Sequence, residues 1–107
     1  MAISIPIFSA QLEKAREATD AANLRSAYAE VSVAVLDGDG ATAYYKGVAM
    51  TQTQDDTFTT TGDANVGGTL LTSITDAKKG TIEYVTVKAD GKVTINSTKP
   101  TDATEVK

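Results

Sequence analysis

Met1-AISIPIFSAQLEKAREATDAANLRSAYAEVSVAV-Leu36 decides how this 107-residue chain is organised. From Ser9 to Leu36 it holds neither Gly nor Pro and is rich in Ala, Leu, Glu, Lys, Arg and Gln. Those residues lose little freedom in a helix. Pro6 lies just before, where a helix start tolerates it or an upstream helix kinks, and Ser9 is a candidate N-cap. Asp37-Gly38-Asp39-Gly40 supplies the stop. At about 1.5 Å per residue the helix is ~40 Å long, longer than a small domain is wide.

Turning this helix by about 100° per residue separates two apolar stripes. Leu24, Tyr28, Val31 and Val35 share one face, with Ala27 and Ala34 at its edge. The same face, extended backwards, meets Glu13, Glu17 and Asp20. Ile5, Phe8, Leu12 and Ala15 fall on roughly the opposite face. The second half is therefore expected to pack on its own domain, and the first half to project and offer its stripe elsewhere. The alternative is a helix sandwiched between two layers of one domain.

The rest of the chain reads as β. Residues 37–66 form a variable connecting region. Within it, Ala41 to Met50 fits a strand or a short helix, and Thr51 to Asn65 a polar loop with a short strand near Phe58. Residues 67–99 are read as the antiparallel sheet, opening on a Gly67-Gly68 turn and a strand over Thr69–Ile74. Thr81–Lys88 and Lys92–Thr98 flank Asp90-Gly91, a strong hairpin signal when a type I′ turn needs positive φ at both central residues. Residues 100–107 read as a tail that could close the sheet edge. The expected fold is α+β in a single domain over residues 1–107: a long N-terminal helix (1–36) on a small antiparallel sheet with a C-terminal β-hairpin.

Composition excludes several functions. Cys and His are both absent. The commonest thiol nucleophile and general base are missing, and no Cys/His zinc site can form. The net charge of −4 leaves no basic face for phosphates. Asp37-Gly38-Asp39-Gly40 faintly resembles a calcium loop, but its twelfth position is Val48 rather than Glu. Asp55, Asp56 and Asp63 read as solvated loop carboxylates. In Tyr44-Tyr45, one ring is expected in the core and the other in solvent. Gly67-Gly68 lacks the Lys and Ser/Thr of a phosphate loop. Asn96-Ser97-Thr98 has the pattern of a glycosylation sequon. No enzyme activity, cofactor or metal is expected.

Ile3-SIPIFSAQLEKAREATDAANLRSAYA-Glu30 closely resembles the stretch that follows the membrane segment of type IV pilin-like and pseudopilin proteins, particularly the Gram-positive kind. The family's hallmark, a Gly-Phe-Thr-Leu-x-Glu processing site leading into about 20 apolar residues, does not occur in this sequence. The resemblance implies a soluble domain of a longer precursor, with Ile3 to Phe8 as the end of its membrane segment. It implies a structural subunit of a bacterial type IV pilus-like or secretion-system filament. Such a subunit is membrane-anchored before assembly and displayed at the cell surface afterwards. Its partners are further copies of itself or related pilins, with no nucleic acid.

In that family the first half of the helix packs in the filament core. Ile3, Ile5, Ile7, Phe8, Leu12 and Ala15 are the expected subunit-packing residues, and Arg16, Glu17 and Asp20 the expected inter-subunit charges. The alternative within the family is a minor pilin acting as an adhesin or DNA-binding module through residues 51–66, and the acidic charge disfavours DNA.

Overall fold

The computed structural model describes residues 4–38, 41–53, 57–58 and 65–106, with side chains from residue 11 onward. Helix α1 spans Ser4–Leu36. It passes through Pro6 and Ser9, so Ser9 is not its cap. Pro6 lies in the first turn of the described helix, where backbone N–H groups have no partner within it. At about 1.5 Å per residue its 33 residues span ~50 Å. The molecule is correspondingly elongated, 59 × 25 × 19 Å.

The strands are β1 (Ala43–Ala49), β2 (Asn65–Val66), β3 (Thr69–Leu70), β4 (Ile82–Lys88), β5 (Val93–Asn96) and β6 (Thr104–Glu105). The main sheet runs β5-β4-β1-β6. The β1–β4 and β4–β5 pairs are antiparallel, whereas β6 lies parallel to β1 with Tyr45 opposite Glu105. The sheet is therefore mixed rather than purely antiparallel. The tail read over residues 100–107 closes its free edge, which an exposed strand would otherwise leave open to pairing. To get there the chain crosses the outer face of the sheet: Lys99 to Asp102 share a cleft with Thr86, Lys88, Thr94 and Asn96.

The reading of the tyrosines is corrected by their burial. Tyr44 and Tyr45 point to opposite faces, yet both are buried. Tyr44 packs with Val31 and Val87 beneath the helix. Tyr45 packs edge-on against Tyr84, ring centres 5.9 Å apart, on the opposite face of the sheet.

Two turns exchange the roles expected of them. At the β4–β5 hairpin only Gly91 has positive φ, and its N–H donates to the Lys88 carbonyl. This is a three-residue loop with a glycine bulge, not a type I′ turn. The tight two-residue hairpin is instead β2–β3, where Gly67 and Gly68 have φ of 58° and 93°. Gly67 is also fixed by packing, because a Cβ there would lie 2.6 Å from the Tyr28 ring. The expected strand over Thr69–Ile74 stops at Leu70 and turns into a 3₁₀ helix, Leu71–Ser73, which drops Leu71 and Ile74 into the core.

The main core joins the middle of the helix to the sheet and its loops. Ala21, Leu24 and Ala27 meet Val48, Met50, Phe58, Val66, Leu71, Ile74, Ala77 and Val85. Burying each large apolar side chain contributes about 1.5–3 kcal/mol. A second cluster around Val31, Tyr44 and Val87 holds the helix's last turns.

Candidate assembly surface

The two helix faces meet different surroundings. On the inner face, Leu24 and Val31 are fully buried. One, two and three turns from Leu24 towards the N-terminus the same face carries Asp20, Glu17 and Glu13, and these too are buried, at 0 %, 1 % and 4 % exposure. The reason lies in the connecting region. Beyond Met50 the chain leaves the sheet, so its backbone N–H groups lose their ladder partners, and a buried N–H without an acceptor is costly.

The helix carboxylates supply the acceptors. Thr51 donates its N–H to both Asp20 oxygens at 3.0 Å and its hydroxyl to Oδ1 at 2.8 Å. The Gln52 N–H donates to Asp20 Oδ2 at 3.2 Å. Thr53 donates its N–H and hydroxyl to Glu13 Oε1 at 3.1 and 3.2 Å. The Arg16 guanidinium stands 3.6 Å from the same Glu13 oxygen and donates to the Thr53 hydroxyl at 2.8 Å. Such charge-assisted bonds offset the loss of hydration that burial imposes on a carboxylate.

This placement changes the sequence reading in two respects. Arg16, Glu17 and Asp20 were expected to face a neighbouring copy. Arg16 and Asp20 bind the head's own connector, and Glu17 is buried on the same face. The first half of the helix was expected to project from the domain. On the inner face the head's grip reaches back to Glu13. The signal was present in the pattern, since three acids continue the phase of Leu24 and Val31. An acid on a core phase reads as an exit from the domain unless a loop in need of acceptors is known to lie there.

The outer face is open. Leu12 is 39 % exposed, and Ala15 and Ala18 are exposed beside it. Further along, Val33 and Leu36 are 63 % and 87 % exposed. Among the described residues the helix is thus covered on one side and not sandwiched between two layers. Averaged over its whole length its apolar residues favour neither side. The backbone continues in regular helix from Leu12 to Ser4, ~13 Å at about 1.5 Å per residue. Of the six expected packing residues, Leu12 and Ala15 lie on this outer face. The side chains of Ile5, Ile7 and Phe8, and all of Ile3, lie outside the described residues.

No described helix is long and apolar enough to cross a membrane. Among the described residues no three acids gather as a metal site would require. Asp37 is exposed beyond the helix end. Asp39, Asp55, Asp56 and Asp63 lie outside the described residues. The polar connector is less exposed than its composition suggests: Gln52 and Phe58 are buried, and the Gln52 amide donates to the Thr57 carbonyl. The chain matches no known protein family, no curated protein and no solved structure.

Proposed function

We propose that this chain is the head and helical stem of a structural subunit in a bacterial type IV pilus-like or secretion-system filament, displayed at the cell surface and doing no chemistry. One observation carries the reading. A single helix commits one face to its own head, while the opposite face presents Leu12 and Ala15 to solvent on a stem that runs on past the head. A monomeric domain gains little from such an extension. A subunit whose stems pack side by side gains apolar burial at every copy, about 1.5–3 kcal/mol for each large side chain. The resemblance of Ile3 to Glu30 to pilin-like proteins supports the same reading and names the partners as further copies or related pilins.

The test is Leu12→Asp in the full-length protein. Assembly is expected to be lost, because a charge on the packing face would be buried without a partner. Normal filament or apparatus assembly by this variant would sink the proposal.

A further inference from the structure

Glu83 is the one acid on the inner face of β4, in phase with Val85 and Val87, and it is fully buried. Neither of its carboxyl oxygens has a hydrogen-bond donor among the described residues. A charged carboxylate there would give up its hydration with no bond in return. Its neighbour is Asp76, half-buried in the loop between the 3₁₀ helix and β4, which also accepts a hydrogen bond from Ser97. Two carboxylates cannot hydrogen-bond to each other. The contact needs a proton on one of them.

The surroundings assign that proton to Glu83. Burial first, and then Asp76, push Glu83 up to about 8 from an ordinary 4.5. The contact with Glu83 and the bond from Ser97 hold Asp76 below its ordinary 3.8. Other elements packed here add little charge. Val48 of β1 stands opposite Glu83. The β4–β5 ladder ends with Tyr84 opposite Asn96, so Ser97 follows beside Glu83. The helix brings Glu17 and Asp20 to its inner face, and Asp20 accepts from Thr51 and Gln52. Among the described residues, Asp76 is the charge that acts on Glu83.

We propose that Glu83, Asp76 and Ser97 form a proton-closed latch, in which one proton held between the two carboxyls fastens the Ile74–Thr81 loop and the end of β5 to the sheet. The latch is connected to the stem. Ala77 of the same loop is fully buried in the core, and the Lys79 N–H donates to the Gln52 carbonyl at 2.6 Å. Gln52 is in turn held by Asp20 of the helix. Opening at Glu83 therefore loosens the connector that grips the helix.

The direction with pH follows from the shifts. Between about 4.5 and about 8 the folded head holds a proton on Glu83 that the unfolded chain has lost. Stability conferred by that proton is complete below the lower value, falls as pH rises, and is gone above the higher one. Asp76 contributes in the opposite sense, with stability present above 3.8 and lost as pH falls through its lowered value. The latch is closed in mild acid and open in alkali.

The test follows the carboxyl carbons and amide hydrogen exchange of the intact chain by NMR between about pH 4 and pH 9.5. Glu83 is expected to titrate with a midpoint near 8, and the amides of Asp76, Ala77, Lys79 and Ser97 to shift with it. After correction for intrinsic rates, the Lys79 amide is expected to exchange at least about tenfold faster at the alkaline end. Glu83→Gln, which can donate to Asp76 but cannot titrate, is expected to lose the alkaline step at all four amides. An ordinary Glu83 midpoint overturns the latch, as does an unmoved corner in the native chain or an unchanged step in the Gln variant. Calcium chloride added at alkaline pH separates a proton latch from a cation site. Stoichiometric shifts at Asp76 and Glu83 with closure of the corner overturn the proposal, and an unchanged spectrum supports it.

Discussion

Two successive stretches of one helix face solve the same problem by different chemistry. From Ala21 to Val31 the face is apolar and packs on sheet and loop side chains. From Glu13 to Asp20 it is acidic and binds the backbone of residues 51–53. The helix geometry does not change between them. Its partner does. Under the sheet, the strands have paired their own backbone, and only apolar area is left to bury. Past the end of β1 the chain has unpaired N–H groups, and a carboxylate is the side chain that accepts several at once. A change from apolar to acidic along a constant helix phase thus marks a change of partner inside the domain, not the point where the domain ends.

The comparison breaks most readily at its apolar end. Leu24 is fully buried at the centre of the core. Leu24→Ala is expected to cost about 2–5 kcal/mol in denaturant unfolding. A loss under about 1 kcal/mol would mean that the helix is not the keystone of the head. Asp20→Ala tests the acidic stretch. It leaves the Thr51 and Gln52 N–H groups without acceptors and is expected to cost about 2–3 kcal/mol, with faster hydrogen exchange at both amides. If those amides keep their protection, the carboxylate clamp is not what holds the connector. The smallest effect is expected across the helix. Leu12→Asp, on the open face, should change folding stability by no more than about 0.5 kcal/mol in this chain, although it is expected to abolish assembly in the full-length protein. A large loss of stability would show that Leu12 already serves the head.

Much of this was legible in the residues. The uninterrupted run to Leu36, the stop at Asp37-Gly38, the β4–β5 hairpin and the inward phase of Leu24 and Val31 follow from local propensity and period. What was not legible depended on distant partners. The Asp20 clamp needs a connector that arrives from 31 residues away. Tyr45 is buried on the outer face against Tyr84 and beside β6, a strand that reaches this edge from the far end of the chain. Glu83 could have been found: an acid in step with Val85 and Val87 on a strand is either exposed by a register slip or buried for a reason. On the candidate assembly surface, spacing separated Leu12 and Ala15 from the core stripe, while the resemblance pointed Arg16 and Asp20 at a neighbour because the connector's N–H groups leave no trace in composition.

The central claim is that the two faces of α1 have different owners. It is tested most directly by cysteine cross-linking in the assembled protein, since these 107 residues contain no cysteine to compete with an introduced one. Ala15→Cys places the thiol on the open face, and Ala21→Cys on the face buried at 3 % exposure. The account predicts covalent bonds between subunits through position 15 and none through position 21. Cross-links through position 21, or none at position 15 in intact assemblies, would contradict it.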